Sequence, residues 1–187
     1  MYGHVDKPID WANHLDIIRN IQRKTNGFTE FVPLSFIYEN SPLYLENKKL
    51  VRKGPTLDEV YNMHAVSRIM LNGYINNIQV SWTKLGPQVA KSPLDLGVND
   101  FGGTLMNESI SRAAGSKYGQ EITSFEMVKI IRSAGKIPVQ RNTLYKTIKT
   151  YEDNDPNYLE PLVPRGNLDP IKFLDQKPNS SKLTSIN

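Results

Sequence analysis

Two stretches of the chain place polar side chains and glycines directly after short apolar strands. The first, residues 77–86, reads Asn-Ile-Gln-Val-Ser-Trp-Thr-Lys-Leu-Gly and alternates apolar with polar residues, as a strand with one buried face does. The second, residues 98–115, begins Val-Asn-Asp-Phe-Gly-Gly-Thr. In a (β/α) barrel the working residues lie at the C-terminal ends of the strands and in the following loops. That rule selects these candidate site residues: Ser81, Trp82, Thr83, Lys84, Asn99, Asp100, Gly102, Gly103 and Thr104.

The chemistry of these side chains leaves alternatives open. Residues 102–104, Gly-Gly-Thr, could offer backbone N–H groups to an anionic or polyhydroxylated ligand, but a tight turn needs glycines as well. Asp100 could orient a substrate N–H or hydroxyl group, or it could cap the turn. Glu108 and Arg112 are four residues apart, and an ordinary helix-surface ion pair is favoured over a substrate clamp. Lys84 could hold a carboxylate or phosphate group, although a solvated lysine is the simpler explanation.

The residue types that the chain lacks exclude several kinds of catalysis. Cysteine is absent, which excludes disulfides, thiolate catalysis and a cysteine-ligated iron–sulfur cluster within this polypeptide. The histidines His4, His14 and His64 lack the close spacing of metal ligands, so no metal site is predicted. The sequence contains no nucleophile elbow, Walker loop or dinucleotide-binding fingerprint.

Charge and hydropathy give little support for nucleic-acid or membrane partners. The net charge is +4, and the basic residues cluster at positions 48–53, in a predicted loop that we interpret as solvated. No uninterrupted apolar run approaches the roughly 18 residues of a membrane span, and the N-terminus has no leader pattern. We therefore expect a globular, cytoplasmic chain that contacts neither membrane nor nucleic acid.

Hydrophobic periodicity predicts helices that alternate with strands. Asp10 is the expected N-cap of a helix that ends at Asn26, and a capping box from Thr56 to Glu59 starts a helix that ends at Asn72. The other predicted elements are strands at 28–36, 78–82 and 98–101, a loop at 37–55, and helices at 88–96, 108–114 and 124–134. This order is typical of parallel βα units, which makes the fold class α/β.

The chain divides into two parts by composition. Residues 1–150 carry the periodic elements and are predicted to form one structural unit. Residues 151–187 are rich in Pro, Asn, Asp, Ser and Lys and show little periodicity. We expect this second part to be a tail that is disordered or lies on the surface.

Longer motifs resemble a known enzyme family. They include Tyr-Gly-His at 2–4, Gly-Phe-Thr-Glu-Phe-Val-Pro-Leu at 27–34, the stretches at 78–86 and 99–106, Glu-Ser-Ile-Ser-Arg-Ala-Ala-Gly at 108–115 and Gln-Arg-Asn-Thr-Leu-Tyr at 140–145. Over about residues 1 to 146 the chain resembles the C-terminal half of FO synthase subunit 2. Members of that family are radical S-adenosylmethionine (radical SAM) transferases that join the 4-hydroxybenzyl group of tyrosine to 5-amino-6-ribitylaminouracil in deazaflavin (coenzyme F-420) biosynthesis. Asn107 and Tyr118 depart from the residues usual in the family.

The resemblance implies a fold and a substrate site. The fold is the C-terminal part of a (β/α) TIM-type barrel, with an irregular tail. His4, at a strand end, is expected to face S-adenosylmethionine or tyrosine. Arg112 and Arg141 are interpreted first as members of structural ion pairs and second as contacts for a carboxylate. Individual catalytic residues are not assigned. The substrate-binding residues implied are Ser81, Trp82 and Lys84 beside the substrates, and Asn99, Asp100, Thr104 and Glu108 against the uracil or ribityl groups.

The family's cofactor motif is absent from this sequence. Family members carry an N-terminal half whose Cys-x-x-x-Cys-x-x-Cys loop holds a [4Fe–4S] cluster that binds S-adenosylmethionine. We therefore expect the isolated chain to bind no cofactor and to be catalytically silent. Its expected partners are an N-terminal barrel half, in cis or in trans, and FO synthase subunit 1. The alternatives are a non-catalytic ribitylaminouracil-binding module and a relative of the menaquinone-pathway enzymes aminofutalosine synthase and futalosine cyclase.

Overall fold

A computed structural model describes residues 1–105, 108–119 and 121–152 of the chain. Nearly all of the predicted tail, residues 153–187, lies outside the described residues, as do positions 106, 107 and 120. The helices of the described part are α1 Pro8–Thr25, α2 Pro42–Glu46, α3 Leu57–Leu71, α4 Trp82–Leu85, α5 Pro87–Lys91, α6 Ile110–Ala113 and α7 Ser124–Ser133. A 3-10 helix, Ser92–Asp95, follows α5. None of the described helices combines the length and apolar character needed to cross a membrane.

The strands β1 Val139–Arg141 and β2 Thr147–Thr150 form an antiparallel two-stranded sheet. Val139 pairs with Thr150 and Gln140 with Lys149, and the register shifts between Gln140 and Arg141. This hairpin was not predicted from the sequence. Its importance is positional, because it brings Arg141 to the candidate site described below.

Extended segments that precede the helices pair in parallel and in chain order. The pairing consists of single bridges that join Tyr2 to Ser35, Phe31 to Ile78 and Gln79 to Asp100. The predicted parallel arrangement is therefore present among the described residues, but as short bridges rather than long strands, and the row is not closed into a barrel. Pro33 interrupts the predicted strand at 28–36, because proline has no N–H to donate to a neighbouring strand.

The row of parallel segments buries its apolar side chains against the helices. Ile78 and Val80, alternate residues of one segment, and Trp82, the first residue of α4, are almost fully buried. They form a cluster with Phe101 and with side chains of α5 and α7. Further clusters join the row and α1 to α3, and their buried members are Tyr2, Val60 and Met63 in one, and Leu15, Leu71 and Ile75 in the other. The polar residues between these positions are thereby directed away from the helix layer.

The helix ends follow the predicted capping chemistry, with one correction. The capping box of α3 is confirmed: Thr56 Oγ1 accepts the Glu59 N–H at 3.2 Å, and the Glu59 carboxylate accepts the Thr56 N–H at 2.8 Å. Asn26 ends α1 with φ 49°. The predicted N-cap at Asp10 is wrong, because Pro8 occupies the first helical position and Lys7 becomes the N-cap. Asp10 instead accepts the Lys7 N–H through its carboxylate at 2.8 Å.

Three other predicted boundaries differ from the structure. The predicted strand at 78–82 ends earlier, since Trp82 begins α4. The predicted helix at 88–96 is divided into α5 and the 3-10 helix, because Pro93 cannot donate to the α-helical ladder. The predicted loop at 37–55 contains α2. The helix predicted at 124–134 is confirmed as α7.

One buried amide joins α1 to the segments that follow α1 and α3. The Gln22 side chain is 4% exposed, and its Nε2 donates to the carbonyl oxygens of Phe28 and Tyr74, both at 3.0 Å. Its Oε1 accepts the Phe28 N–H at 2.8 Å. This side chain satisfies backbone groups that would otherwise be buried without partners.

Candidate functional site

Residues 102–104, called the glycine turn below, lie at the C-terminal end of the last parallel segment. One hydrogen bond fixes each residue of the turn. Asp100 Oδ1 accepts the Gly102 N–H at 2.7 Å, Trp82 Nε1–H donates to the Gly103 carbonyl oxygen at 3.0 Å, and the Ile122 N–H donates to the Thr104 carbonyl oxygen at 3.0 Å. Trp82 is 3% exposed, so the indole that holds Gly103 belongs to the apolar core.

The backbone of the glycine turn favours glycine at position 102 and leaves two N–H groups available. Gly102 has φ 82°, and a Cβ there would lie 3.0 Å from Nε2 of Gln79. The N–H groups of Gly103 and Thr104 make no hydrogen bond to another described residue, and both residues are exposed. The turn can therefore offer two donors to a carbonyl, hydroxyl or anionic oxygen of a ligand.

Asp100 connects the glycine turn to the β1–β2 hairpin. Its carboxylate is 9% exposed, and the oxygen that does not bind Gly102 accepts from Nε of Arg141. The ion pair predicted for Arg141 is thus formed. The hydrogen bond that Arg141 donates to Asp100 raises the pKa of the Arg141 guanidinium above its ordinary value.

A second carboxylate and a phenol complete this polar cluster. The Arg141 guanidinium lies over the ring of Tyr145 at 4.0 Å from the centroid, and its Nη2 is 3.9 Å from Oε2 of Glu30. The Tyr145 hydroxyl donates to the same Glu30 oxygen. Burial, together with this hydrogen bond, raises the pKa of Tyr145, so the phenol stays protonated at neutral pH.

A cavity of about 610 Å³ opens beside the glycine turn. One wall is formed by Asn99, Asp100 and the glycine turn, and the other by α7 and the hairpin. The apolar side chains of this second wall include Met127, Val128 and Ile131. The structure therefore brings together three of the predicted substrate-binding residues, Asn99, Asp100 and Thr104, with the two glycines of the turn.

Asn99 is held by Arg68, for which no role was predicted from the sequence. Asn99 Oδ1 accepts from Nη2 of Arg68 at 2.8 Å and from the Ile78 N–H at 2.9 Å. The amide oxygen is thus used within the fold, and the Asn99 NH₂ group is the part of the side chain that remains for a ligand. A contact between Asn99 and a substrate stays a prediction.

A second group of predicted residues lies around α4 and α6. Lys84 Nζ donates to Ser111 Oγ at 2.6 Å, and the hydroxyl groups of Ser81 and Thr83 are 3.0 Å apart. The Glu108 carboxylate accepts two backbone N–H groups at the start of α6, at 2.9 and 3.1 Å. Both Ser81 and Thr83 are buried, whereas Lys84 and Glu108 are partly exposed. Glu108 thereby stabilises α6, and its contact with a substrate is not tested by this geometry.

His4 lies in a third position. Its Nδ1 is hydrogen-bonded to Asp6, whose carboxylate also accepts the backbone N–H groups of Gly3 and His4 and the indole N–H of Trp11. Burial raises the pKa of Asp6, but these hydrogen bonds outweigh burial and hold that pKa below its ordinary value. Among the described contacts, none joins His4 to the other predicted site residues.

The described residues do not fit a metal centre or a thiolate-bound cluster. They contain no group of three or more His, Asp or Glu side chains placed to hold a metal ion. The sequence supplies no cysteine. A cysteine-ligated iron–sulfur cluster therefore cannot be held by this chain's own side chains.

The described residues combine helices with isolated parallel bridges and a small two-stranded sheet, and comparison with known sequences identifies the family. The profile of the CofH/MqnC C-terminal region matches residues 25–154. This chain belongs to that family. The resemblance predicted from the sequence motifs is confirmed.

Several curated relatives are similar to the chain over most of its length. A 5-amino-6-(D-ribitylamino)uracil--L-tyrosine 4-hydroxyphenyl transferase of Methanopyrus kandleri is 49% identical over 156 residues, which cover 81% of this chain and 40% of the relative. An FO synthase of Mycobacterium leprae is 51% identical over 145 residues, covering 78% of the chain and 17% of the relative. A transferase of Methanocaldococcus jannaschii with the same name as the first is 48% identical over 149 residues, covering 80% and 41%. The chain thus spans less than half the length of these relatives.

Proposed function

We propose that this chain forms the substrate-side part of a radical SAM transferase that joins the 4-hydroxybenzyl group of tyrosine to 5-amino-6-ribitylaminouracil. The observation that carries the proposal is an identity of about 50% across roughly four fifths of the chain with relatives named for that transfer or as FO synthase. A shared sequence at this level preserves the fold, and the polar residues at the segment ends are those that the chemistry would use.

The glycine turn and its neighbours have the chemistry to bind the aminouracil substrate. Its ribityl chain and uracil ring carry hydroxyl and carbonyl oxygens, which would accept from the available N–H groups of Gly103 and Thr104. The Asp100 carboxylate and the Asn99 amide could complete such a polar contact set. Ser81, Trp82, Lys84, Glu108 and His4 are the further residues that we propose to lie near the substrates.

In this proposal the parallel row is one part of a (β/α) barrel. A cysteine-bearing N-terminal half, in cis or in trans, would complete the barrel and would hold the [4Fe–4S] cluster and S-adenosylmethionine. FO synthase subunit 1 would be the functional partner. The chain alone is expected to be inactive, because its own residues cannot hold the cluster.

A chimeric enzyme tests the proposal. The region of the Methanopyrus kandleri relative that matches this chain would be replaced by the chain, and the purified, cluster-loaded protein would be incubated anaerobically with tyrosine, 5-amino-6-ribitylaminouracil, S-adenosylmethionine and a reductant. Mass spectrometry should detect the coupled product with the chimera and not with the isolated chain. A folded chimera that cleaves S-adenosylmethionine but yields no coupled product would contradict the proposal.

Two variants test whether the predicted residues take part. Asp100→Ala and Lys84→Ala in the chimera should each lower turnover or substrate affinity. Arg23→Ala, at an exposed position near the end of α1, serves as the matched control. Unchanged kinetics for both site variants would remove Asp100 and Lys84 from the proposed site.

A non-catalytic ribitylaminouracil-binding module is the second candidate. It is favoured by one observation, namely that the chain has no cysteine although it keeps the polar residues around the glycine turn. Calorimetric titration of the isolated chain with ribitylaminouracil would show binding without activity in that case. A menaquinone-pathway role has weaker support, since the relatives described above carry FO synthase or transferase names.

A further inference from the structure

We infer that Arg141 is a positioning residue: acting through Asp100, it holds the glycine turn in the geometry that binds the polar groups of the aminouracil substrate. The inference rests on the proposed function. It assigns a role to the β1–β2 hairpin, whose Arg141 reaches a turn that is distant in sequence.

The connection is a chain of two hydrogen bonds through one carboxylate. Arg141 Nε donates to one Asp100 oxygen, and the other Asp100 oxygen accepts the Gly102 N–H at 2.7 Å. Asp100 is 9% exposed, so water has little access to either contact. Because the carboxylate is rigid, its orientation toward Arg141 sets its orientation toward Gly102.

The position of Arg141 is itself fixed by an aromatic ring on one face of its guanidinium and by acceptor groups at its edges. The ring of Tyr145 lies 4.0 Å from the guanidinium carbon, and Nη1 donates to the Asn142 carbonyl oxygen at 3.2 Å. Glu30 lies near Nη2 and also accepts from the Tyr145 hydroxyl. A planar group with several donors is needed to satisfy these contacts together, and a lysine could make only part of them.

Loss of Arg141 would leave Asp100 as a nearly buried carboxylate without its cationic partner. Such a group turns toward solvent to recover its hydration, and this movement weakens its bond to the Gly102 N–H. The available N–H groups of Gly103 and Thr104 follow Gly102 directly, so their directions would change with it. The expected effect is therefore on binding of the substrate that uses these donors.

The first test measures the turn in the isolated chain, without any activity. In ¹⁵N-edited NMR spectra, Arg141→Ala should shift the backbone amide signals of Gly102 and Gly103 and the indole N–H signal of Trp82, which donates to Gly103. Arg141→Lys should shift them less. Tyr145→Phe is the matched control, because it removes the hydroxyl bond to Glu30 but keeps the ring beside Arg141. Unchanged Gly102, Gly103 and Trp82 signals in Arg141→Ala would overturn the inference.

The second test separates positioning from general stabilisation in the active chimera. Arg141→Ala should raise the KM for 5-amino-6-ribitylaminouracil by about tenfold, the equivalent of one lost hydrogen bond. The KM for tyrosine should stay unchanged, and Arg141→Lys should restore part of the affinity. Arg141→Ala combined with Asp100→Ala should be no worse than Asp100→Ala alone, because Arg141 acts through Asp100.

The outcomes distinguish this inference from the proposed function. An active chimera in which Arg141→Ala alters neither KM, or alters both equally, contradicts the role of Arg141 and leaves the proposed function standing. Additive effects of the two substitutions would also contradict it. A cluster-loaded chimera that makes no product contradicts the proposed function and, with it, the binding role of Arg141.

Discussion

Arg68 in α3 donates from Nη2 to Oδ1 of Asn99 at 2.8 Å and so joins a helix to the last parallel segment. The same guanidinium donates from Nε to the Gly97 carbonyl oxygen at 2.6 Å and from Nη1 to the Asn76 carbonyl oxygen at 3.0 Å. The Arg68 side chain thus binds backbone carbonyl groups that lie just ahead of two neighbouring parallel segments, the one with Ile78 and the one with Asp100. These contacts fix where the segments begin, and hence where their C-terminal ends present the candidate site.

Replacement of Arg68 by alanine should destabilise the fold. The change removes three hydrogen bonds from a charged donor, and because the side chain is partly exposed we expect the free energy of unfolding to fall by about 2 kcal/mol. Urea unfolding followed by circular dichroism measures the difference. Arg23→Ala is the control and should leave the unfolding midpoint unchanged, and an equal midpoint for Arg68→Ala would contradict the prediction.

Gly97→Ala should destabilise more than Gly135→Ala. Both glycines have positive φ, 93° and 68°, so both substitutions carry a conformational penalty of about 1–2 kcal/mol. At Gly97 a Cβ would lie 2.5 Å from Cγ of Arg68, whereas at Gly135 nothing lies within 4 Å. The difference between the two midpoints in urea isolates the steric term. Equal losses would show that Arg68 can move without disturbing the fold.

The capping box of α3 gives a prediction about a local interaction. Thr56→Ala removes the side-chain acceptor of the Glu59 N–H and should lower the free energy of unfolding by about 1 kcal/mol. Thr56→Ser keeps an acceptor oxygen and is expected to change stability little. Thermal unfolding of the two variants side by side checks this, and a serine variant as unstable as the alanine variant would count against the capping explanation.

His64 should make stability fall at mildly acidic pH. The ring is fully buried, Nδ1 is 2.7 Å from the Val60 carbonyl oxygen, and Nε2 has no partner among the described residues. Burial lowers the pKa of His64, and the Val60 bond opposes this only in part. The unfolded chain therefore takes up a proton at higher pH than the folded chain does. Stability is fully present above the ordinary pKa of about 6.5 and is lost as the pH falls below it, by at most about 1.4 kcal/mol per pH unit.

The measurement for His64 is the urea unfolding free energy at several pH values from 5 to 7, a window around the ordinary histidine pKa. His64→Gln should flatten this dependence, even if the variant is less stable at every pH. His14→Gln, at an exposed histidine, should leave the slope as it is. A slope unaffected by His64→Gln would assign the pH dependence to other groups.

Lys84 should matter more for activity than for stability. Its Nζ bond to Ser111 Oγ involves a partly exposed ammonium, and surface contacts of this kind contribute little to folding. In the active chimera, Lys84→Met should lower kcat/KM by tenfold or more, on the order of one charge-assisted hydrogen bond to a substrate. Ser111→Ala should lower kcat/KM less, and equal effects of both substitutions would indicate that Lys84 serves only to hold α6.

The elements that were predicted correctly are those with local causes. The α3 capping box and the left-handed residue Asn26 act within a few residues of sequence, so the start of α3 and the C-terminal end of α1 could be predicted. The hairpin could not be predicted from strand periodicity. Its turn depends on the Asn142 side chain, whose Oδ1 accepts the N–H groups of Leu144 and Lys146 at 2.9 and 3.0 Å. The signal available in the sequence was Asn142 itself, because asparagine in a polar stretch is typical of a turn.

The candidate site was predicted as a set of residues but not as a geometry. Alternation and glycine placement indicated Trp82, Asp100 and Thr104, and these residues do meet at the glycine turn. The bonds from Arg141 to Asp100 and from Arg68 to Asn99 join residues far apart in sequence, and only the packing of the segments brings them together. The resemblance, not the alternation, implied that His4 faces S-adenosylmethionine or tyrosine. The His4 ring binds Asp6, which also accepts from Trp11, and a contact between His4 and a ligand stays a prediction.

The chain-order pairing of the parallel segments has a consequence for how the protein can fold. Each segment bridges the one that follows it, from Tyr2 through Phe31 and Ile78 to Asp100. Each of these pairings therefore closes a loop of only a few tens of residues. The segments can assemble one after another while the chain is being synthesised. The glycine turn and the hydrogen bond from Arg141 to Asp100 would be among the last parts to form.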